Sequence, residues 1–435
     1  MSSCKECYQK NTGHRWCKAC YAEHFQQNFE NWTSGNNDID KFIQNAQLKA
    51  INSEKVLEWI PYDRFYNIEF IAKGGYGRVY RAIWIDGFIT YWDNITKNWK
   101  RMYQNKEVAL KSLNNSKNVT FEFLNEITSH HKIEDNFSIT RLYGITQDPE
   151  TRNYIMVLDY ADHGSLRNYL DTYYNKLSWY TKFHDLWRIA YGLKKIHGKE
   201  LIHRDLHIGN ILRFFNSTSI TDMGLCKPAD YYNKIENTDI NKIYGVLPYI
   251  APEVLRGQNY TKAADVYSFG IIMYEVISGL PPYHDVRHDS NLAMKICLGL
   301  RPRFDIKVPQ LIVHLIKRCL DANLLNRPKM GEAEFILYKW WNWFDNQIEL
   351  KNQIKEAEEI NNNLSFNSTL TPTSLALSYE THSEAIYTSR LLNFNDLPEP
   401  KNSDDYYIQN DNIISKEYSE TLNIELSQLI IKAIL

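Results

Sequence analysis

Between residues 202 and 224 the chain reads Ile202-His203-Arg204-Asp205-Leu206-His207-Ile208-Gly209-Asn210-Ile211-Leu212, then, ten residues on, Asp222-Met223-Gly224. An aspartate with an asparagine five residues later, and a second aspartate before a glycine, supplies an acceptor for a hydroxyl proton and two oxygen ligands for Mg2+. Upstream, Ile71-Ala72-Lys73-Gly74-Gly75-Tyr76-Gly77-Arg78-Val79-Tyr80 lies between two β-type runs, where a glycine-rich hairpin lays backbone N–H groups over phosphates. Alone this is a weak signal, because such a turn is usually only a turn and Ala72 stands where the first glycine of G-x-G-x-x-G falls. Val108-Ala109-Leu110-Lys111 ends an apolar strand on a lysine, and Phe123-Leu124-Asn125-Glu126-Ile127 carries a glutamate inside a predicted helix. A strand-end lysine is by default solvated, but beside a phosphate it needs such a counter-ion to stay charged and aimed. Glu122, one helical turn before Glu126, is the rival partner.

A second constellation opens the chain. Cys4-Lys5-Glu6-Cys7 and Cys17-Lys18-Ala19-Cys20 form a C-x2-C pair, a nine-residue spacer and a second C-x2-C pair. Two such turns place four thiolates around one tetrahedral Zn2+, and a module this small depends on the metal to fold. The arrangement resembles short zinc-ribbon and Ran-binding-type fingers, with Asn11 four residues after Cys7, although the tryptophan expected before the first cysteine is missing. His14 and His24 are alternative ligands and more often surface residues.

Elements must position these groups. Residues 1–30 form the cysteine module, and residues 31–60 read as a linker with a helical segment between Ile39 and Trp59. Residues 61–345 form a large domain. Short β-branched and aromatic runs dominate from Tyr66 to about Leu170, and amphipathic helices from Leu177 to about Phe344. Between Val79 and Lys111 the chain is longer than a minimal hairpin and carries Trp84, Trp92, Trp99 and Tyr103, which fits an extended two-stranded ribbon stabilised by cross-strand packing. Residues 346–435 read as a helical extension and a mostly disordered tail rich in Asn, Ser and Thr, with an apolar helical spacing returning at Leu422 to Leu435.

From Tyr66 to Phe344 the motifs resemble those of the protein kinases, with every landmark in order, and their flavour is similar to the tyrosine-kinase-like group of serine/threonine kinases. The resemblance implies an α+β bilobal kinase fold and transfer of the γ-phosphoryl group of ATP to protein serine or threonine hydroxyls. By that resemblance Asp205 is the catalytic base beside Arg204, and Lys111 grips the α- and β-phosphates and pairs with Glu126. Asn210 and Asp222 hold Mg2+. ATP is expected along Ile71, Ala72, Lys73, Gly74, Gly75, Tyr76, Gly77, Val79 and Ala109. Leu158-Asp159-Tyr160-Ala161 is the adenine hinge, with contacts at Asp159 and Ala161 and Leu158 as gatekeeper. Glu253 of Ala251-Pro252-Glu253 is expected to pair with Arg327, and Asp265 to brace the catalytic loop.

Two departures bear on the acceptor pocket. His207 stands where serine/threonine kinases usually carry a lysine, and Gly245-Val246 replaces their Gly-Thr pair. These leave open a tyrosine or dual-specificity enzyme and a pseudokinase or scaffold that binds ATP and partners; a third reading makes the cysteine module and tail the working parts of an adaptor. Tyr231, Tyr232, Thr238 and Tyr244 are candidate phosphorylation sites that could order the segment by pairing with Arg204.

Composition narrows the classes. The 435 residues are 43% hydrophobic and 23% charged with a formal net charge of -2, so there is no basic field to draw the chain onto nucleic acid or an acidic membrane. No apolar run is long enough to span a membrane and the first residues are too polar for a secretory signal. The expectation is a cytoplasmic or nuclear protein with protein substrates, a structural Zn2+, and a partner protein for the module and tail.

Overall fold

The computed structural model of the chain describes residues 3–73, 77–113, 116–118, 121–133, 137–229, 243–366 and 379–402. Contacts divide it into two compact units, Met1–Asp162 with Thr221–Gly224, and His163–Ile220 with Leu225–Leu435.

The first unit begins with helix α1 (Lys18–Gln26) of the cysteine module and α2 (Asn37–Lys49). The N-cap side chain of Asn36 accepts the N–H groups of Asp38 and Ile39, which fixes where α2 starts. Strands follow as β1 (Glu58–Trp59), β2 (Phe65–Lys73), β3 (Gly77–Trp84), β4 (Phe88–Asp93), β5 (Asn98–Met102), β6 (Lys106–Leu113), β7 (Leu142–Gln147) and β8 (Tyr154–Asp159), with helix α3 (Phe121–Lys132) between β6 and β7. One sheet runs in the order β1-β7-β8-β6-β3-β2, while β4 and β5 form a separate two-stranded sheet, as the long interval between Val79 and Lys111 predicts.

Alternation along the strands splits the sheet's apolar residues between its faces. Ala82, Trp84, Val108, Leu110 and Val157 pack on one side. On the other, Leu113, Met156 and Leu158 pack with Phe123 and Ile127 of α3 and with Ile39, Ile43 and Ala46 of α2. The stretch read as a linker therefore shares the core that seats α3, because its apolar spacing gives α2 a buried stripe and β1 pairs parallel with β7.

The ribbon aromatics do more than pack across their own strands. Trp92 and Trp99 are directly opposed in β4 and β5 with ring centroids 5.1 Å apart. Trp99 also stacks on Phe25 of α1 at 4.2 Å, and Trp92 on His24 at 4.0 Å. Trp16, fully buried, donates its indole N–H to the carbonyl of Ala50 at 3.0 Å. The ribbon is thus the surface on which the cysteine module rests.

The second unit is mostly helical: α4 (Leu166–Tyr173), α5 (Trp179–Gly198), α6 (Pro252–Leu255), α7 (Lys262–Ser278), α8 (Ser290–Cys297), α9 (Gln310–Cys319), α10 (Met330–Asn342) and α11 (Ile348–Phe366). Helix α7 is buried along nearly its whole length, from Ala264 to Ser278, as an all-round apolar helix must be. Short pairs β9 (Leu201–Ile202) with β12 (Lys227–Pro228), and β10 (Ile211–Phe214) with β11 (Ser217–Ile220), frame the loop that carries Asp205.

Residues 379–402, within the stretch read as mostly disordered, lie against this unit, where β14 (Arg390–Leu392) pairs antiparallel with β13 (Ile243–Gly245). Composition gives this segment too little apolar surface to fold alone; it is ordered by the strand edge it completes. The rest of the tail, including Leu422 to Leu435, lies outside the described residues.

Candidate active site

In the first unit, strand register assembles one face. Directly opposed residues share a face of a sheet, and the pairs Ala72 with Val79, Val79 with Lys111, and Ala109 with Leu158 put a small apolar floor beside the lysine. Ile71 sits at the register shift between Phe70 and Ala72. Lys111 Nζ lies 2.6 Å from Glu126 Oε1 and 3.0 Å from Asp222 Oδ1. Burial acts to lower the Lys111 pKa, but the charges of Asp222 and Glu126 outweigh it and hold the ammonium above its ordinary value. Burial pushes the Glu126 carboxyl up to about 7 against the pull of Lys111. Glu126 is the helix partner seen; the side chain of Glu122 lies outside the described residues.

Asp222 adopts a left-handed backbone, φ 62°, a region in which Asp is enriched. Its Oδ1 accepts the N–H of Gly224 at 3.3 Å. A Cβ on Gly224 would stand 3.2 Å from Asp222 Oδ1 and 3.3 Å from Glu126 Oε2, so a side chain there would crowd both carboxylates. At the expected hinge, Asp159 is already engaged: its carboxylate accepts from Tyr143 at 2.8 Å and pairs with Lys106 at 2.9 Å, and its N–H goes to the Arg141 carbonyl. Ala161 and Leu158 are buried. Gly74, Gly75 and Tyr76 lie outside the described residues, between Lys73 and Gly77 at the ends of β2 and β3.

In the second unit, Asp265 on α7 accepts the backbone N–H groups of His203 and Arg204 at 2.8 and 3.0 Å and is 2.9 Å from His197 Nε2. A buried carboxylate with three such partners is satisfied, and it pins the loop just before Asp205. Asn210 Nδ2 donates to the Asp205 carbonyl at 2.9 Å, which fixes the orientation of its amide and leaves Oδ1 as its acceptor. His207 Nδ1 accepts the Gly209 N–H at 3.1 Å, so in the neutral ring the proton is on Nε2, 3.9 Å from Asp205 Oδ1. Arg204 packs over the Tyr260 ring at 4.8 Å. Glu253 and Arg327 form a buried two-point pair with both bonds at 2.7 Å. Gly245 has φ 144°, and a Cβ there would lie 3.1 Å from Ile250 Cδ1 and 3.5 Å from Asp205 Oδ1. Of the four candidate phosphorylation sites, Tyr244 lies in β13, opposite Leu391; the other three fall outside the described residues.

Sequence reading missed one residue at this loop. Ser389 Oγ is 2.6 Å from both carboxylate oxygens of Asp205 and 3.4 Å from His207 Nε2. Nothing in Thr388-Ser389-Arg390 distinguishes this serine from the others of the tail.

The four N-terminal thiols also converge. Their sulfurs all lie within 4.8 Å of one another, with Cys4 to Cys20 at 3.8 Å and Cys7 to Cys17 at 3.6 Å. Four sulfurs about 2.3 Å from a central Zn2+ at tetrahedral angles would stand roughly 3.8 Å apart, so the set fits the ion. His24 is not with them; its Nε2 faces Glu6 at 3.0 Å.

Residues 66–337 match the family model for protein tyrosine and serine/threonine kinases, and the chain belongs to that family. A chain of Acanthamoeba polyphaga mimivirus named as a serine/threonine-protein kinase/receptor is 29% identical over 68% of this chain and 17% of its own length. The RGS domain-containing serine/threonine-protein kinase A of Dictyostelium discoideum is 29% identical over 62% of this chain and 22% of its own. A Dictyostelium chain named as a LIM domain-containing serine/threonine-protein kinase is 28% identical over 68% and 45% respectively. The chain thus spans less than half of the length of these relatives. The matched residues, β-sheet in the first unit and mostly helical in the second, have the α+β make-up of a kinase domain.

Proposed function

We propose that this chain is an ATP- and Mg2+-dependent protein kinase acting on serine or threonine hydroxyls of protein substrates. The observation that carries the reading is Lys111, held charged by both Glu126 and Asp222 beside the apolar face of Ala72, Val79, Ala109 and Leu158. A buried cation flanked by a carboxylate and a small apolar floor suits a nucleoside triphosphate: the floor takes the base, the ammonium the phosphate oxygens. Mg2+, when bound, neutralises charge on the transferring phosphoryl group. By the kinase resemblance, Asp222 of the first unit and Asn210 of the second would each offer an oxygen to it. Asp205, fixed by the loop that Asp265 braces, accepts the proton of the acceptor hydroxyl. His207 presents an N–H toward the same place, at the position where serine/threonine kinases usually carry a lysine.

The four cysteines are assigned a structural Zn2+, supported by the sulfur spacings. No helix among the described residues is long and apolar enough to cross a membrane. A cytoplasmic location is our reading of four thiols crowded into the first twenty residues, a pattern that suits metal binding in a reducing compartment.

The test is transfer of labelled phosphate from ATP by the full chain beside Asp205→Ala, with phosphoamino-acid analysis of the product. Label on serine or threonine that disappears in the variant is expected. Equal label in both proteins, or label confined to tyrosine, would overturn the proposal.

A further inference from the structure

The tail segment 379–402 places a hydroxyl where an acceptor hydroxyl belongs. Ser389 donates to the Asp205 carboxylate at 2.6 Å, which is hydrogen-bond reach for a base and the proton it abstracts. The neighbouring strand is held as a bound peptide is held: β14 adds to β13 with Arg390 opposite Gly245, Tyr244 opposite Leu391, and Ile243 opposite Leu392. Side chains on either side of the serine fix its register. Tyr387 donates to the Pro282 carbonyl at 2.9 Å, Arg390 to the His288 carbonyl at 2.7 Å, and Leu392 is buried. Docking continues well past the strand, where Arg256 binds the Leu397 carbonyl at 3.1 Å and pairs with Glu399 at 2.6 Å.

We infer that Ser389 is the chain's own phosphoacceptor: the tail is a tethered substrate that Asp205 serves in cis, and it blocks other substrates until it is modified. The inference rests on the kinase reading above. In the step, Ser389 Oγ forms a bond to the γ-phosphorus of a nucleoside triphosphate and the bond to the β,γ-bridging oxygen breaks. The diphosphate leaves with that electron pair, and the serine proton passes to the Asp205 carboxylate. The product carries close to two negative charges beside Asp205. Like charges at this distance expel the segment and free the edge of β13 for another chain. Val246 stands where the resemblance to serine/threonine kinases leads one to expect a threonine hydroxyl, so a rival role for Ser389 is to supply that hydroxyl as a positioning group. The two roles differ in what they leave on the serine.

Full-length protein, first treated with phosphatase, is incubated with Mg2+ and ATP and mapped by mass spectrometry over about a hundredfold range of protein concentration. An intramolecular reaction keeps its first-order rate through that dilution. Phosphate should appear on Ser389 at a concentration-independent rate and be absent in Asp205→Ala. Phosphorylation of an added protein substrate should show a lag that ends as Ser389 is filled, and Ser389→Glu should remove the lag, with an early rate on the order of tenfold higher. Without nucleotide, amides of residues 243–245 should exchange faster in Ser389→Glu and Leu392→Asp than in wild type. An unmodified Ser389 in protein that phosphorylates an added substrate would overturn the inference and spare the kinase reading. If Ser389→Ala then also lowers kcat, the positioning role replaces it. Absence of all phosphate transfer would remove both.

Discussion

Asp265 and His203 are 62 residues apart, and the carboxylate of one accepts the backbone N–H of the other at 2.8 Å. The same carboxylate takes the Arg204 N–H, so α7 sets the path of the loop that presents Asp205. Asp265→Asn keeps the size but turns an NH2 toward one of these donors. An unsatisfied buried group of this kind costs about 1–3 kcal/mol. The variant should melt lower and lose on the order of a hundredfold in kcat from a displaced Asp205, with little change in nucleotide affinity. Melting curves and steady-state kinetics check it.

Lys111 is shared by two carboxylates, which separates two effects. Glu126→Gln leaves Asp222 beside the ammonium, so the protein should fold with a loss smaller than the about 3–5 kcal/mol of a fully broken buried pair. Lys111→Met removes the ammonium that both Glu126 and Asp222 share and should cost more stability as well as nucleotide binding. Denaturant unfolding and titration with a nucleotide analogue distinguish the two variants.

The cysteine module leans on Trp92 and Trp99, so loss of the proposed Zn2+ should be visible at a distance. Zinc analysis should give about one ion per chain. Chelation, or Cys17→Ser, should shift tryptophan emission to the red as Trp16 and Trp99 meet water. Trp99→Ala should destabilise the module by less than the roughly 3–5 kcal/mol typical of truncating a fully buried aromatic, because Trp99 is only partly buried. An unchanged spectrum after complete metal removal would contradict this account of the site.

His130, buried on α3, has its pKa pushed down to about 3 by burial first and by the Lys111 charge second. The unfolded side chain titrates near 6.5, so its contribution is fully present above that pH and is lost as pH falls toward the folded value. At pH 5 the loss is about 2 kcal/mol. The stability difference between pH 7.5 and pH 5 should shrink by that amount in His130→Gln, measured by urea unfolding at both pH values.

What the sequence determined by itself is the chemistry set. Asp205, Asn210 and Asp222 at fixed spacing, a strand-end lysine, and two C-x2-C turns are local patterns, and their residue types admit few other uses. The apolar periods also gave the β-rich and helical halves and the Trp-bearing ribbon, because strand and helix periods are written in neighbouring residues. Tertiary structure alone decided which carboxylates meet Lys111, that α2 shares the core of the sheet, and that the ribbon carries the cysteine module. It also decided that Ser389 faces Asp205. These are contacts between residues far apart in the chain, set by strand register and by the packing of whole faces, and the tail serine has no local pattern because backbone pairing and the contacts of its neighbours Tyr387 and Arg390 bring it there.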